Sequence, residues 1–178
     1  EISECLVGSE MCIRDRNKRI GVIGTPATIR SGCYGKAIRE MKPDIKVFGK
    51  ACPMFVPLVE NGYTSADSQV SRLIAQEYLE IMLKEKVDTL ILGCTHYPML
   101  KDVISEVMGD EVKLISSGAE AAKHAQKILA YNDELCDREE DGMLELYCTD
   151  SVELFSENAD AFLGKNKNIK ISKCSLAL

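Results

Sequence analysis

The chain has 178 residues, of which 46% are apolar and 28% charged, with a formal net charge of −6. This acidic balance argues against a nucleic-acid partner, which needs clustered lysine and arginine. No window approaches the roughly 18 consecutive apolar residues of a membrane helix. The eight cysteines are scattered, which favours free thiols in a reducing cytoplasm over a disulfide framework. The numbers suit one globular domain or a small two-lobed protein.

Residues 1–16 show neither helix nor strand periodicity. The part from Cys5 to Arg16 resembles the conceptual translation of a transposase adapter used in sequencing libraries. We therefore interpret 1–16 as a non-native fusion and exclude it from fold prediction; a native N-terminal helix is the alternative. We also expect the native protein to continue upstream of Asn17.

The first predicted strand is the short apolar run Arg19–Thr25. Thr25 then reads as a helix N-cap, with Pro26 at the first helical position, where its missing N–H costs nothing. A helix is predicted over Tyr34–Met41, and it ends before Pro43.

A second strand is predicted at Lys46–Gly49, and a largely apolar segment follows from Ala51 to Glu60. Because Pro53 and Pro57 disfavour a regular helix or central strand, we predict an ordered loop there.

A long helix is predicted from a cap at Ser65 or Asp67 to about Lys86. Its apolar periodicity predicts that one face points inward, namely Val70, Leu73, Ile74, Tyr78, Ile81 and Met82.

The short run Thr89–Leu92 ends at Gly93, and a thiol, a hydroxyl and an imidazole follow on Cys94, Thr95 and His96. A short apolar run of this kind predicts a strand buried on both faces. Ligands of open α/β sheets bind beyond the carboxyl ends of the strands. We therefore expect these three side chains to face a ligand.

The next predicted helix carries Leu100, Val103, Ile104 and Val107 and is stopped by Gly109; a strand at Val112–Ile115 and a helix from Ser117 to Ala130 follow. A solvated acidic loop is predicted at 132–142, and a strand at Leu144–Cys148. The last elements are a helix capped by Ser151, with Leu154, Phe155, Ala159, Phe162 and Leu163 inward, and a strand at Ile169–Ile171. Strand and helix alternate throughout. This order predicts an α/β fold with an open, mainly parallel sheet and flanking helices.

The Cys94 loop has the residue types of an acid–base site. A thiol is a weak base until it ionises, and both His96 and the N-terminal end of the helix opened by Pro98 favour the thiolate. The same N–H groups and Thr95 suit a carboxylate ligand. Two other interpretations stay open, a packed structural cysteine and a Cys–His hydrolase. A metal site is disfavoured because Cys94 and His96 supply only two ligands.

The segment Gly93–Pro98 closely resembles the second active-site motif of glutamate racemases, in the aspartate/glutamate racemase family. Further segments are similar to that family at compatible spacing: Ile20–Thr28, Ala51–Pro53, Val56–Glu60 and Ser117–Glu120. His96 separates the chain from aspartate racemases, which tend to have glutamate at that position.

The resemblance implies a cofactor-independent isomerase with no metal, in which glutamate lies between two lobes that each carry one cysteine. One thiolate removes the Cα proton and the opposed thiol returns a proton to the other face. By motif match Cys94 is the second thiol, acting on L-glutamate, and His96 assists it with Glu60 as a hydrogen-bonding partner. Thr95 and His96 would contact substrate. The resemblance further implies a peptidoglycan role and a homodimer for the full-length protein.

Two threonines near the first strand have two open interpretations. Thr25 and Thr28 either line the cleft or cap the helix that follows.

The family's first lobe carries a cysteine in a Gly-Cys-Asn-Thr context and an early Asp-Ser pair, and neither occurs here. We therefore expect 17–115 to be the second lobe and 116–178 to be a segment that packs on a missing first lobe. Such a chain should be inactive alone and should self-associate through exposed apolar surface. Cys33 and Cys52 are interpreted as packing residues.

Two alternative functions remain at this stage. One is another amino-acid or hydroxy-acid racemase with paired thiols, such as an aspartate-type enzyme. The other is a non-catalytic carboxylate-binding α/β domain in which Cys94 is only packed.

Overall fold

The computed structural model describes residues 17–138, 142–164 and 168–175. The adapter-like segment 1–16 and part of the acidic loop predicted at 132–142 lie outside these ranges. The chain divides into two compact units, the first ending at Glu134 and the second beginning at Leu135. Within the described ranges, no helix is both long and apolar enough to cross a bilayer. The expected packing of 116–178 on a further lobe stays a prediction.

The described elements of the first unit are β1 (Arg19–Gly24), α1 (Pro26–Ser31), α2 (Cys33–Met41), β2 (Lys46–Ala51), α3 (Phe55–Glu60), α4 (Gln69–Lys84), β3 (Thr89–Gly93), a 3₁₀ turn (Tyr97–Leu100), α5 (Lys101–Met108), β4 (Lys113–Ser116) and α6 (Ser117–Tyr131). Those of the second unit are β5 (Leu144–Cys148), α7 (Val152–Leu163) and β6 (Ile169–Lys173).

The four strands of the first unit form one parallel sheet in the order β2-β1-β3-β4. This arrangement confirms the predicted open parallel sheet with flanking helices. From β1 the chain moves to β2 on one side and then crosses to β3 on the other. The order therefore reverses between β1 and β3, and the crevice at their carboxyl ends is where such sheets bind ligands.

The sheet is buried on both faces, as the apolar run of β3 predicts. Leu90 and Leu92 pack with α3, α4 and α5 in one cluster. Ile91 points to the opposite face and packs with Ile20 and Ile38 beneath α2. Alternate residues of one strand thus join two separate cores, because successive side chains leave a strand on opposite faces.

Gly21 lets α4 approach the sheet closely. A Cβ at this position would lie 2.7 Å from the sulphur of Met82 and 2.8 Å from a methyl group of Leu90. Both distances are shorter than ordinary van der Waals contacts. Glycine at this position therefore permits the observed spacing between helix and strand.

The loop predicted between Ala51 and Glu60 is wrong in its second half, where α3 forms. Pro57 is the third residue of this helix. The first N–H groups of a helix have no partner within the helix, so proline costs no hydrogen bond at that position.

Two predictions about α4 are also wrong. The helix is capped by Ser68, whose hydroxyl oxygen accepts from the N–H of Ser71 at 3.3 Å, and not by Ser65 or Asp67. The buried face carries Ser71, Ala75, Leu79 and Met82. Of the six residues predicted to point inward, only Met82 is fully buried, and Val70, Leu73 and Ile81 are exposed. Apolar residues occur around most of this helix, so periodicity alone does not fix its rotation. The small Ser71 and Ala75 lie on the face that packs.

The second unit is a parallel pair, β5 and β6, with α7 beside it. Ser151 caps α7 as predicted, since its hydroxyl oxygen accepts from the N–H of Leu154 at 3.2 Å. The predicted inward face of α7 is not buried in this structure: the helix contains no buried residue, and Leu154 is 60% exposed.

Candidate active site

The candidate site lies where β1 and β3 end side by side. Gly24 and Gly93 are paired in the parallel register, and a Cβ at Gly93 would lie 2.9 Å from the carbonyl oxygen of Ile23. The close approach therefore requires glycine at this position. Cys94 follows directly, at the point where the strand order reverses.

The loop after β3 is held by its own backbone. The N–H of Tyr97 donates to the carbonyl of Cys94 at 3.3 Å, and that of Met99 donates to the carbonyl of His96 at 3.0 Å. Cys94 is half-buried against the α3–α4–α5 cluster, and Thr95 is exposed. The loop thus holds the thiol at the edge of the core with the hydroxyl beside it in solvent.

His96 contacts two other residues that the sequence selects. Its Nε2 lies 3.2 Å from Oε1 of Glu60, and its Nδ1 lies 3.2 Å from Oγ1 of Thr95. A neutral imidazole satisfies both contacts when Nε2–H donates to the carboxylate and Nδ1 accepts from the hydroxyl. The His96 side chain is 22% exposed and that of Glu60 is 48% exposed, so the pair is open to solvent.

Glu60 comes from a different part of the chain. It is the last residue of α3, the short helix that follows β2, and 36 residues separate it from His96. The carboxylate reaches the loop after β3 because α3 packs against the 3₁₀ turn that continues that loop. The apolar residues of α3, Phe55, Leu58 and Val59, are buried in the same core.

Sequence reasoning gave Tyr97 no role. Its ring is fully buried, and its hydroxyl donates to the carbonyl oxygen of Cys52 at 2.8 Å. Burial raises the pKa of Tyr97 above its ordinary value, so the phenol stays a donor. The one signal in the sequence was the position of Tyr97 directly after His96. Its hydrogen-bond partner could not be identified from the sequence.

Thr25 and Thr28 act on each other. The hydroxyl oxygen of Thr25 accepts from the N–H of Thr28 at 3.2 Å, and their two hydroxyls lie 3.0 Å apart. This contact caps α1, which is one of the two interpretations left open by the sequence.

The other cysteines of the first unit differ from Cys94. Cys52 is fully buried, as expected of a packing residue, and burial raises the pKa of its thiol to about 12. It is therefore a poor base at neutral pH. Cys33 is half-buried and its sulphur accepts a hydrogen bond from the Ser31 hydroxyl at 3.0 Å. In the described part of the chain, no three His, Cys, Asp or Glu side chains cluster as metal ligands.

Comparison with known sequences identifies similar proteins. Residues 7–125 match the sequence model described as Asp/Glu/hydantoin racemase. The chain is 45% identical to the glutamate racemase of Geobacter metallireducens over 149 residues, which are 84% of this chain and 54% of that protein. It is 41% identical to the glutamate racemase of Streptococcus gordonii over 167 residues, covering 93% of this chain and 62% of that protein.

Solved structures agree with these matches. A glutamate racemase isoform of Bacillus anthracis has a TM-score of 0.86 and 33% identity, over 98% of this chain and 64% of that one. The glutamate racemase of Francisella tularensis, solved in complex with D-glutamate, has a TM-score of 0.82 and 31% identity, over 96% and 62%. The chain thus spans 54% to 62% of the length of the two curated relatives.

Proposed function

The chain belongs to the Asp/Glu/hydantoin racemase family, and from this premise we propose that it forms part of a glutamate racemase that works without a cofactor. The observation that supports this most directly is the loop at the carboxyl end of β3. It carries the Cys94 thiol where strand order reverses, two residues before His96, whose Nε2 lies 3.2 Å from the Glu60 carboxylate. A thiol beside a polarised imidazole suits removal of a proton from carbon.

In the proposed reaction the thiolate of Cys94 removes the Cα proton of L-glutamate, and the proton moves to sulphur. An opposed thiol then gives a proton to the other face of the carbanion, which yields D-glutamate. We propose that this second thiol comes from the part of the relatives' length that this chain does not span. Running in reverse, the same pair converts the D-enantiomer.

We propose that His96 and Glu60 serve Cys94 as a proton-transfer pair. The carboxylate orients the imidazole through Nε2 and stabilises its protonated form when it takes a proton from the thiol. Thr95 fixes the other ring nitrogen through its hydroxyl, and in the proposed complex both Thr95 and His96 contact a substrate carboxylate or amino group.

The chain alone is proposed to be inactive in racemisation. Inversion needs a base on each face of Cα, and Cys52, which lies near the site in the fold, is fully buried with a pKa raised to about 12. The full-length enzyme is proposed to act as a homodimer in the cytoplasm and to supply D-glutamate for peptidoglycan. The six cysteines in the described ranges are all free, which suits a reducing compartment.

The test uses a chimera in which the part of the Geobacter relative that this chain does not span is fused upstream of Asn17. Exchange of the Cα proton in D₂O is followed by NMR for L-glutamate, D-glutamate and L-aspartate. We expect exchange and inversion with glutamate. Cys94→Ser should lower the rate by about 10²-fold or more, and Cys136→Ser, on an exposed thiol in the second unit, should not.

Three results would contradict the proposal. Glutamate turnover that survives Cys94→Ala would remove the thiol from the reaction. Exchange with aspartate but not glutamate would indicate an aspartate-type racemase. Inversion of glutamate by the 178-residue chain alone would show that no second lobe is needed.

A further inference from the structure

A buried aromatic contact joins the two loops that carry the proposed site. The hydroxyl of Tyr97 donates to the carbonyl oxygen of Cys52 at 2.8 Å across 45 residues of sequence. The same carbonyl accepts the N–H of Phe55 at 3.2 Å. The Tyr97 ring also meets the ring of Phe55 edge to face, with centroids 5.2 Å apart and an interplanar angle of 87°. Tyr97 therefore fixes the start of α3 by two different contacts.

The other end of α3 carries Glu60. From Phe55 to Glu60 the helix rises about 7–8 Å, so the position of its first residue sets the position of the carboxylate. Tyr97 is covalently next to His96, which meets that carboxylate at 3.2 Å. The hydroxyl link at one end of α3 and the imidazole–carboxylate contact at the other thus close a ring through the protein.

We propose that Tyr97 is a positioning residue, which holds the Glu60 carboxylate and the His96 imidazole in register for proton transfer at Cys94. This inference rests on the proposed function of the same site. Tyr97 itself is buried, and its hydroxyl is bonded to the Cys52 carbonyl. Without the hydroxyl, α3 keeps its core residues but loses the fixed hydrogen bond between its first turn and the loop after β3.

The test uses a property of this chain, which contains two histidines, His96 and His124. The ¹H and ¹⁵N resonances of their rings can be recorded on the 178-residue protein without turnover, and His124 on α6 serves as the internal reference. Glu60→Gln gives the resonance positions of His96 without its carboxylate partner. Tyr97→Phe should move the His96 resonances toward those positions and leave His124 unmoved.

The matched control is Tyr78→Phe. Tyr78 packs against the same Phe55 ring, with centroids 5.4 Å apart, so this variant removes a hydroxyl from the same aromatic cluster and leaves the Cys52 link intact. It should leave His96 at its wild-type position. In Tyr97→Phe/Glu60→Gln the resonances should move no further than in Glu60→Gln alone, because both changes act on one contact.

In the active chimera, Tyr97→Phe should lower kcat roughly 10-fold by misplacing the pair, with KM for glutamate little changed. Phe55→Leu tests the same link if Tyr97→Phe does not fold, and a smaller movement of His96 in the same direction is expected. Unmoved His96 resonances in folded Tyr97→Phe, or in Phe55→Leu when Tyr97→Phe is unfolded, would overturn the inference. Loss of glutamate exchange in the wild-type chimera would instead contradict the proposed function.

Discussion

The two units of the chain differ in how much of themselves they bury. In the described part of the first unit, two cores flank the sheet, and seven helices and strands contribute buried residues to them. In the described part of the second unit, Cys148 is the one buried apolar residue, and α7 buries none. A two-stranded sheet with one helix cannot enclose a core of its own size. The first unit therefore has the larger core, and we propose that the second gains stability from contacts outside itself.

The largest expected effect comes from truncating a buried leucine of the first unit, compared with truncating an exposed leucine of the second. Leu79→Ala, in the buried face of α4, should lower the free energy of unfolding by about 2–5 kcal/mol through lost burial and a cavity. Leu154→Ala, on a side chain that is 60% exposed, should change it by less than about 0.5 kcal/mol. Urea unfolding of both variants measures this difference, and equal losses would break the comparison.

High pH should weaken the first unit through Cys52. Its folded-state pKa of about 12 lies above the 9.0 of an unburied thiol, so its contribution to stability is intact below pH 9 and is lost as pH rises toward 12. Over that window the unfolded chain releases this proton first, which costs up to about 1.4 kcal/mol of stability per pH unit. Unfolding curves of the wild type and Cys52→Ala between pH 8 and pH 11 test this. The variant should show the shallower decline, and parallel declines would contradict the assignment.

A smaller loss is expected where α4 touches the sheet. Gly21→Ala places a methyl group 2.7 Å from the Met82 sulphur, and relieving that clash should cost about 1–3 kcal/mol. Gly118→Ala is the control, since a Cβ there meets nothing within 4 Å and alanine favours the helix. Thermal unfolding should separate the two variants in opposite directions. A neutral Gly21→Ala would show that the helix can move away from the strand.

The smallest expected effect comes from removing the serine cap of one helix in each unit. Ser68→Ala and Ser151→Ala each remove a hydroxyl that accepts an N–H at the start of a helix, which is worth about 1 kcal/mol. The first change should lower the global unfolding free energy. The second should appear only as faster amide exchange within α7, because the second unit opens locally. Hydrogen exchange read by mass spectrometry distinguishes the two, and a global loss from Ser151→Ala would mean that the units unfold together.

The sequence predicts the sheet well because its strands carry a local signal. Thr89–Leu92 consists of a β-branched threonine and three apolar residues, and it is buried throughout. The same reasoning fails for α3 because proline is forbidden only in a helix interior, and Pro57 lies in the first turn. It also fails for the rotation of α4, which depends on which helix packs against Ser71 and Ala75 and not on the apolar pattern alone.

The candidate site is predictable only in part for a similar reason. The Cys94 loop stands out because its three chemical groups are consecutive in the sequence. The resemblance to a known family, and no spacing rule, selected Glu60 as the partner of His96. The link from Tyr97 to the carbonyl of Cys52 joins a side chain to a backbone atom 45 residues away. Every residue has a backbone carbonyl, so the residue type at position 52 does not predict this contact. Only the folded structure reveals it.

Burial of Cys52 has a practical consequence for covalent ligand discovery. Its sulphur is enclosed and stays protonated at neutral pH, so an electrophilic compound offered to the folded chain should leave it unmodified. Peptide mapping after labelling would then report on the remaining thiols of the described regions, including the half-buried Cys94 after β3. A Cys52 adduct would therefore indicate that the compound had unfolded the protein and had not reacted at its surface.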